Sequence, residues 1–130
     1  MTLNFNQISG MIAALEGLKD TKMPFKLSLI LAKNISKLKA EQDFFIERER
    51  DFALKYLDFD EKTQQFVQVE NGVFKVKPGM EEECRQARAE LNEFSVDIDL
   101  RMIPVSLIEN LDCFTPSNLE ALELLINEEE

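Results

Sequence analysis

The sequence predicts an α+β, mostly helical fold: a helical hairpin with one long helix, a small antiparallel β-sheet made of a hairpin plus a third strand, and C-terminal helices. Three observations predict it. Apolar residues recur at helical spacing in two stretches before residue 57, two β-branched runs flank Asn71-Gly72, and residues 96–102 alternate apolar and charged side chains. With 130 residues, 45% hydrophobic and 31% charged, the chain has the size and balance of one domain, 1–130. It reads as a helical hairpin over 1–57, then hairpin, helix, strand and C-terminal helix over 58–130.

Between Asn6 and Leu18 the residues Ile8, Met11, Ile12, Leu15 and Leu18 recur at three and four, which predicts an amphipathic first helix. The stretch 20–23 reads as a tight connection, and Pro24 suits the first turn of the next helix, where an N–H is not needed. From Pro24 to Leu57 no further proline or glycine intervenes. Leu31, Ile35, Leu38, Gln42, Phe45, Glu49, Phe52 and Tyr56 step alternately by four and three, a heptad seam on a helix about 50 Å long. Gln42 and Glu49 weaken the seam, which argues for an intramolecular bundle with one wet edge rather than a uniform coiled coil.

Phe66–Glu70 and Val73–Lys77 flank Asn71-Gly72, a hairpin signal in which both turn residues take positive φ. Pairing Glu70 with Val73 puts Val69 opposite Phe74 and Val67 opposite Val76 on the face expected to be buried. Pro78-Gly79 ends the strand. Cys84, Ala87, Leu91 and Phe94 then predict a helix over 80–94, with Glu81, Glu82 and Glu83 at its electropositive start. The alternation over 96–102 predicts a strand beside the hairpin, with Asp97, Asp99 and Arg101 in water. A short turn or helix over 104–111 leads to Thr115, a cap, and Pro116, which opens a final helix through Leu119, Leu122, Leu125 and Ile126. Glu128–Glu130 are expected to fray.

Composition narrows the function. Histidine is absent, removing the commonest general base and metal ligand. Cys84 and Cys113 lie 29 residues apart without CxxC spacing, so they read as reduced thiols, Cys84 as core filler. EF-hand, glycine-rich phosphate and Ser-His or Cys-His patterns are absent from the sequence. Asp97 and Asp99 share one strand face and form the sole acid pair weighed as a metal or catalytic site, against the simpler reading of a solvated face. No enzyme activity, cofactor or metal site is therefore expected. No apolar run approaches a membrane span and Met1–Gly10 does not resemble a signal peptide, so the expected location is the cytosol.

Fifteen basic against twenty-five acidic residues give a net charge of -10, which disfavours direct nucleic-acid binding. Residues 1–57 hold nine basic and seven acidic groups, while 58–130 hold six and eighteen. Lys22, Lys26, Lys33 and Lys37 form a basic stripe suited to an acidic partner or an RNA backbone, or simply to solvent. The acidic half suits either solubility or occupation of a basic groove on another protein.

The segment Met23–Asn34 (MPFKLSLILAKN), the charged run Glu47-Arg48-Glu49-Arg50 with the following hairpin, Val96-Asp97-Ile98-Asp99, Ile103–Leu107 and Thr115–Glu123 ending in glutamates resemble, in order and pattern, a family of small uncharacterised bacteriophage proteins from phages of Gram-positive and gut bacteria. The resemblance covers nearly the whole chain. It departs at Leu124, where that group carries a proline. It implies a source, with the host cytoplasm or the virion as the location, and a fold, but transfers no site.

The expectation is a non-enzymatic phage accessory protein acting through protein contacts in the virion or its assembly. The alternative is an acidic phage inhibitor of a host nucleic-acid-binding or defence protein. Candidate contact residues are Phe44, Phe45, Phe52 and Tyr56 on the seam, with Leu122 and Ile126 on the last helix. Because the seam outruns the first helix, either the helix over 80–94 covers its aromatic residues or a salt-sensitive homodimer does, the dimer being preferred.

Overall fold

The computed structural model describes residues 1–127; the expected fraying of Glu128–Glu130 lies outside them. In chain order the elements are β1 (Thr2–Asn4), α1 (Phe5–Glu16), α2 (Phe25–Tyr56), β2 (Phe59–Asp60), β3 (Gln65–Phe66), β4 (Gln68–Glu70), β5 (Val73–Phe74), α3 (Glu81–Glu93), β6 (Ser95–Asp97), β7 (Ile103–Pro104), α4 (Pro116–Ala121) and β8 (Ile126–Asn127). The fold is α+β and mostly helical, with small antiparallel sheets and one long helix. Two compact units emerge, one made of Met1–Asp43 with the segment from Ser95 onward, the other of Phe44–Phe94. The halves 1–57 and 58–130 do not coincide with these units. Among the described residues no helix is long and apolar enough to cross a membrane.

In the first unit, α1 begins at a reciprocal cap. The Gln7 N–H donates to Asn4 Oδ1 and the Asn4 N–H to Gln7 Oε1, each at 2.9 Å, satisfying two amides that a helix start leaves unpaired. Its predicted face is buried at Ile8, Met11, Ile12 and Leu15, with Leu18 just beyond. Pro24 stands one residue before α2, and its carbonyl accepts from the Ser28 N–H at 3.0 Å. Leu27, Ile30, Leu31 and Leu38 of α2 are buried, as is the polar Asn34.

The alternation over 96–102 places Ile98 and Leu100 inside, yet the strand is shorter and pairs elsewhere. β6 ends at Asp97 and runs antiparallel to β1, with Leu3 opposite Val96, not beside the 66–77 hairpin. The Asn34 amide takes both backbone groups of Arg101, removing that residue from any ladder. β1 escaped notice because three residues are too few to display a period of two.

The Thr115 cap forms, with the Asn118 N–H donating to Thr115 Oγ1 at 3.2 Å and the Thr115 N–H to Asn118 Oδ1 at 3.0 Å. The last helix is shorter than predicted: α4 stops at Ala121, a 3-10 turn spans Glu123–Leu125, and β8 pairs in parallel with β7. Leu122 and Leu125 are both fully buried. Their three-residue spacing falls in line along a 3-10 turn, which releases Ile126 for the pairing with Ile103.

In the second unit, Phe45, Tyr56 and Cys84 are buried. The hairpin forms, with Glu70 opposite Val73 as read, but a register shift between Gln68 and Glu70 puts Gln68 rather than Val69 opposite Phe74. Gly72 takes a φ of +83° whereas Asn71 does not adopt a positive φ, so the turn is not the doubly left-handed one expected. Phe66 is drawn off into a second, unpredicted hairpin, opposite Phe59, where the two rings meet edge to face at 5.0 Å. The additional segment beside the predicted hairpin is Leu57–Asp60. Leu57 bridges Val76, the Asp58 N–H donates to Lys75 O at 2.9 Å, and the Val67 N–H donates to Asp58 O at 2.9 Å. Consequently Val69 and Phe74, expected in the core, are exposed.

Candidate protein-interaction surface

The hairpin of β4 and β5 presents Val69 at 61%, Val73 at 49% and Phe74 at 43% exposure. The register shift between Gln68 and Glu70 accounts for Val69 and Phe74, which alternation would have sent inward, whereas Val73 lies opposite Glu70 on the face expected to meet solvent. Within the same unit a groove of about 450 Å³ lies along the hairpin and α3, lined by Phe52, Val73, Phe74, Val76, Cys84 and Arg88 among others.

Arg88 gives the groove its stiff wall. It donates to both carboxylate oxygens of Glu49, at 2.8 and 2.6 Å, and its guanidinium lies 4.7 Å over the Phe52 ring. The hydrogen bonds that Arg88 donates to Glu49 hold its pKa above the usual value. A planar fork paired this way fixes α3 against α2 within the unit. Among the described residues the buried Arg88 Nε finds no hydrogen-bond partner.

A second aromatic cluster joins Phe44, Phe45 and Phe94, with centroids 5.9 Å apart for Phe44–Phe45, 6.0 Å for Phe44–Phe94 and 5.8 Å for Phe45–Phe94. Arg48 stands 4.9 Å over the Phe44 ring.

The six candidate contact residues divide evenly. Phe45, Tyr56 and Leu122 are buried, so they belong to the core and offer no contact surface. Phe44, Phe52 and Ile126 are half-buried. In the second unit Phe94, just past α3, packs against Phe45, and Arg88 lies over Phe52. The seam therefore needs no second copy at those two positions. The sequence signals Val69, Val73 and Phe74 as apolar, and the pairing with Glu70 already turns Val73 outward, but the facing of Val69 and Phe74 depends on one register shift.

Asp97 is 88% exposed with Oδ1 3.3 Å from the Met1 nitrogen, and the Asp99 carbonyl accepts from Lys37 Nζ at 2.7 Å. Among the described residues no group of three or more His, Cys, Asp or Glu side chains is placed to hold a metal ion. Cys84 and Cys113 are free thiols. Compared with known protein families, curated proteins and solved structures, the chain matches none.

Proposed function

We propose that the chain is a non-enzymatic interaction protein of the bacteriophage accessory kind that its pattern resembles, acting in the virion or its assembly by docking the Val69–Phe74 hairpin onto another protein. One observation supports the reading: three large apolar side chains stand exposed within one short hairpin. Isolated exposed apolar residues are ordinary, but a cluster on a two-stranded ribbon with outer edges is the kind of surface a partner covers, by apolar burial and by strand addition.

The test is capture of tagged protein from infected cells, wild type against Phe74→Ser. Enrichment of a particle or assembly protein by the wild type, lost in Phe74→Ser while its thermal midpoint stays the same, supports the reading. Equal recovery by both proteins, or enrichment of no such protein, overturns it.

A further inference from the structure

We infer that the protein also self-associates, a C-terminal cleft in one copy receiving the start of α2 from a second copy. The cleft lies in the first unit, has a volume of about 450 Å³, and is walled by Ile108, Phe114, Leu119 and Ile126, with Glu109 and Glu123 among its lining residues. Its size falls within the roughly 300 to 1,000 Å³ of pockets that take organic groups.

The charge of its surroundings is one-sided. From Met102 to Asn127 the chain carries Glu109, Asp112, Glu120 and Glu123 and no lysine or arginine. The helix packed on α4 is α1, whose residues Phe5–Glu16 include no cation either. Among the described residues neither Glu109 nor Glu123 has an ion-pair partner. An occupant that dried the cleft without bringing positive charge would leave these carboxylates uncompensated, which is costly. The fitting occupant has apolar side chains flanked by cations.

The same chain carries such a segment. Phe25 is 80% exposed and Leu29 is 38% exposed. They stand one helical turn apart on α2, and Lys33 continues the step of four. Lys22, Lys26 and Lys33 are exposed, and among the described residues none has a carboxylate partner. An uncovered apolar pair between free lysines is complementary to an apolar cleft between free carboxylates. Since each copy has both surfaces, two copies can exchange them reciprocally and close as a two-fold dimer. This contact uses neither the seam of α2 nor the β4–β5 hairpin, so it is separable from the proposed function.

The experiment is sedimentation equilibrium of the full chain at low and high salt, with three variants. Phe25→Glu alters a side chain already in water and should fold normally. The second variant is Lys22→Glu, Lys26→Glu and Lys33→Glu combined; the third is Glu109→Lys with Glu123→Lys. The expected result is a wild-type dimer weakened by about tenfold or more when salt shortens the screening length. All three variants should be monomeric alone, and an equimolar mixture of the two charge-reversed variants should dimerise, because each then offers the sign the other lacks. A wild type that remains monomeric at low salt overturns the inference. So does a dimer that survives Phe25→Glu, or charge-reversed variants that fail to associate when mixed. Phe74→Ser should leave this dimer unchanged, whichever way the partner-capture test falls.

Discussion

Asn34 and Arg101, 67 positions apart in sequence, pair as two backbone strands would: the Asn34 Nδ2 donates to Arg101 O at 2.9 Å and the Arg101 N–H donates to Asn34 Oδ1 at 2.8 Å. A fully buried amide thus substitutes for a strand partner. It explains why Asn, a poor interior helix residue, sits within α2 between Leu31 and Leu38. Asn34→Ala leaves two partly buried backbone groups without partners and should cost about 2–4 kcal/mol, measured by urea denaturation. Asn34→Asp should also destabilise, because it keeps the acceptor but sets a buried carboxylate against the Arg101 carbonyl. A variant within 0.5 kcal/mol or so of wild type, the usual range for an innocuous surface change, would contradict the pairing.

Arg88 and Glu49 should behave as a fork rather than as two charges. Each side chain is 35% exposed, so solvent screening limits the pair to about 1 kcal/mol. Arg88→Lys should recover less than half of what Arg88→Met loses, since an ammonium can neither bond both oxygens nor lie flat over Phe52. Equal stability of the lysine variant and the wild type, by thermal or chemical denaturation, would show that charge alone suffices.

Glu16 bonds Lys39 and also lies near Lys19, and the Lys39 hydrogen bond is the leading cause that holds its carboxyl below the usual 4.5. A depressed carboxylate pKa means that the unfolded chain binds the proton first as acid is added. The pair's contribution is therefore complete above pH 4.5 and fades as pH falls through the lowered native value. Comparing wild type with Lys39→Met across the acid range should show a stability gap that narrows below that pH. A gap independent of pH would assign the loss to packing of the lysine stem.

The hairpin turn makes asymmetric demands. Gly72 sits at φ +83°, a region costly for any residue with a Cβ, so Gly72→Ala should destabilise by about 1 kcal/mol. Asn71 lacks a positive φ, and Asn71→Ala should be nearly neutral. Comparable losses at both positions would indicate the doubly left-handed turn and, with it, the unbulged register that buries Val69.

The long-range periodic features were legible in the sequence. Every seam position from Leu31 to Tyr56 is buried or half-buried, because seven alternating steps of four and three leave one face of a helix no other choice. Caps at Asn4 and Thr115 act over three residues; the Thr115 cap was readable for that reason. Strand pairing was not, since β1, β2 and β3 are two or three residues long and their partners are chosen by contacts far along the chain. The candidate site failed for a related reason: periodicity marks an apolar face without saying what covers it. Phe45 shows this: its place on the seam suggests contact surface, yet it lies fully buried beside Phe44 and Phe94. Phe45→Ala should accordingly cost about 3–5 kcal/mol, as a core cavity does.

The central claim, that the Val69–Phe74 hairpin is where a partner protein docks, is tested most directly by photo-crosslinking in infected cells with p-benzoylphenylalanine in place of Phe74, using the exposed Lys62 of the same unit as the control position. The account predicts a discrete adduct with a particle or assembly protein from position 74 and none from position 62. No adduct from position 74, or equal adducts from both positions, would contradict it.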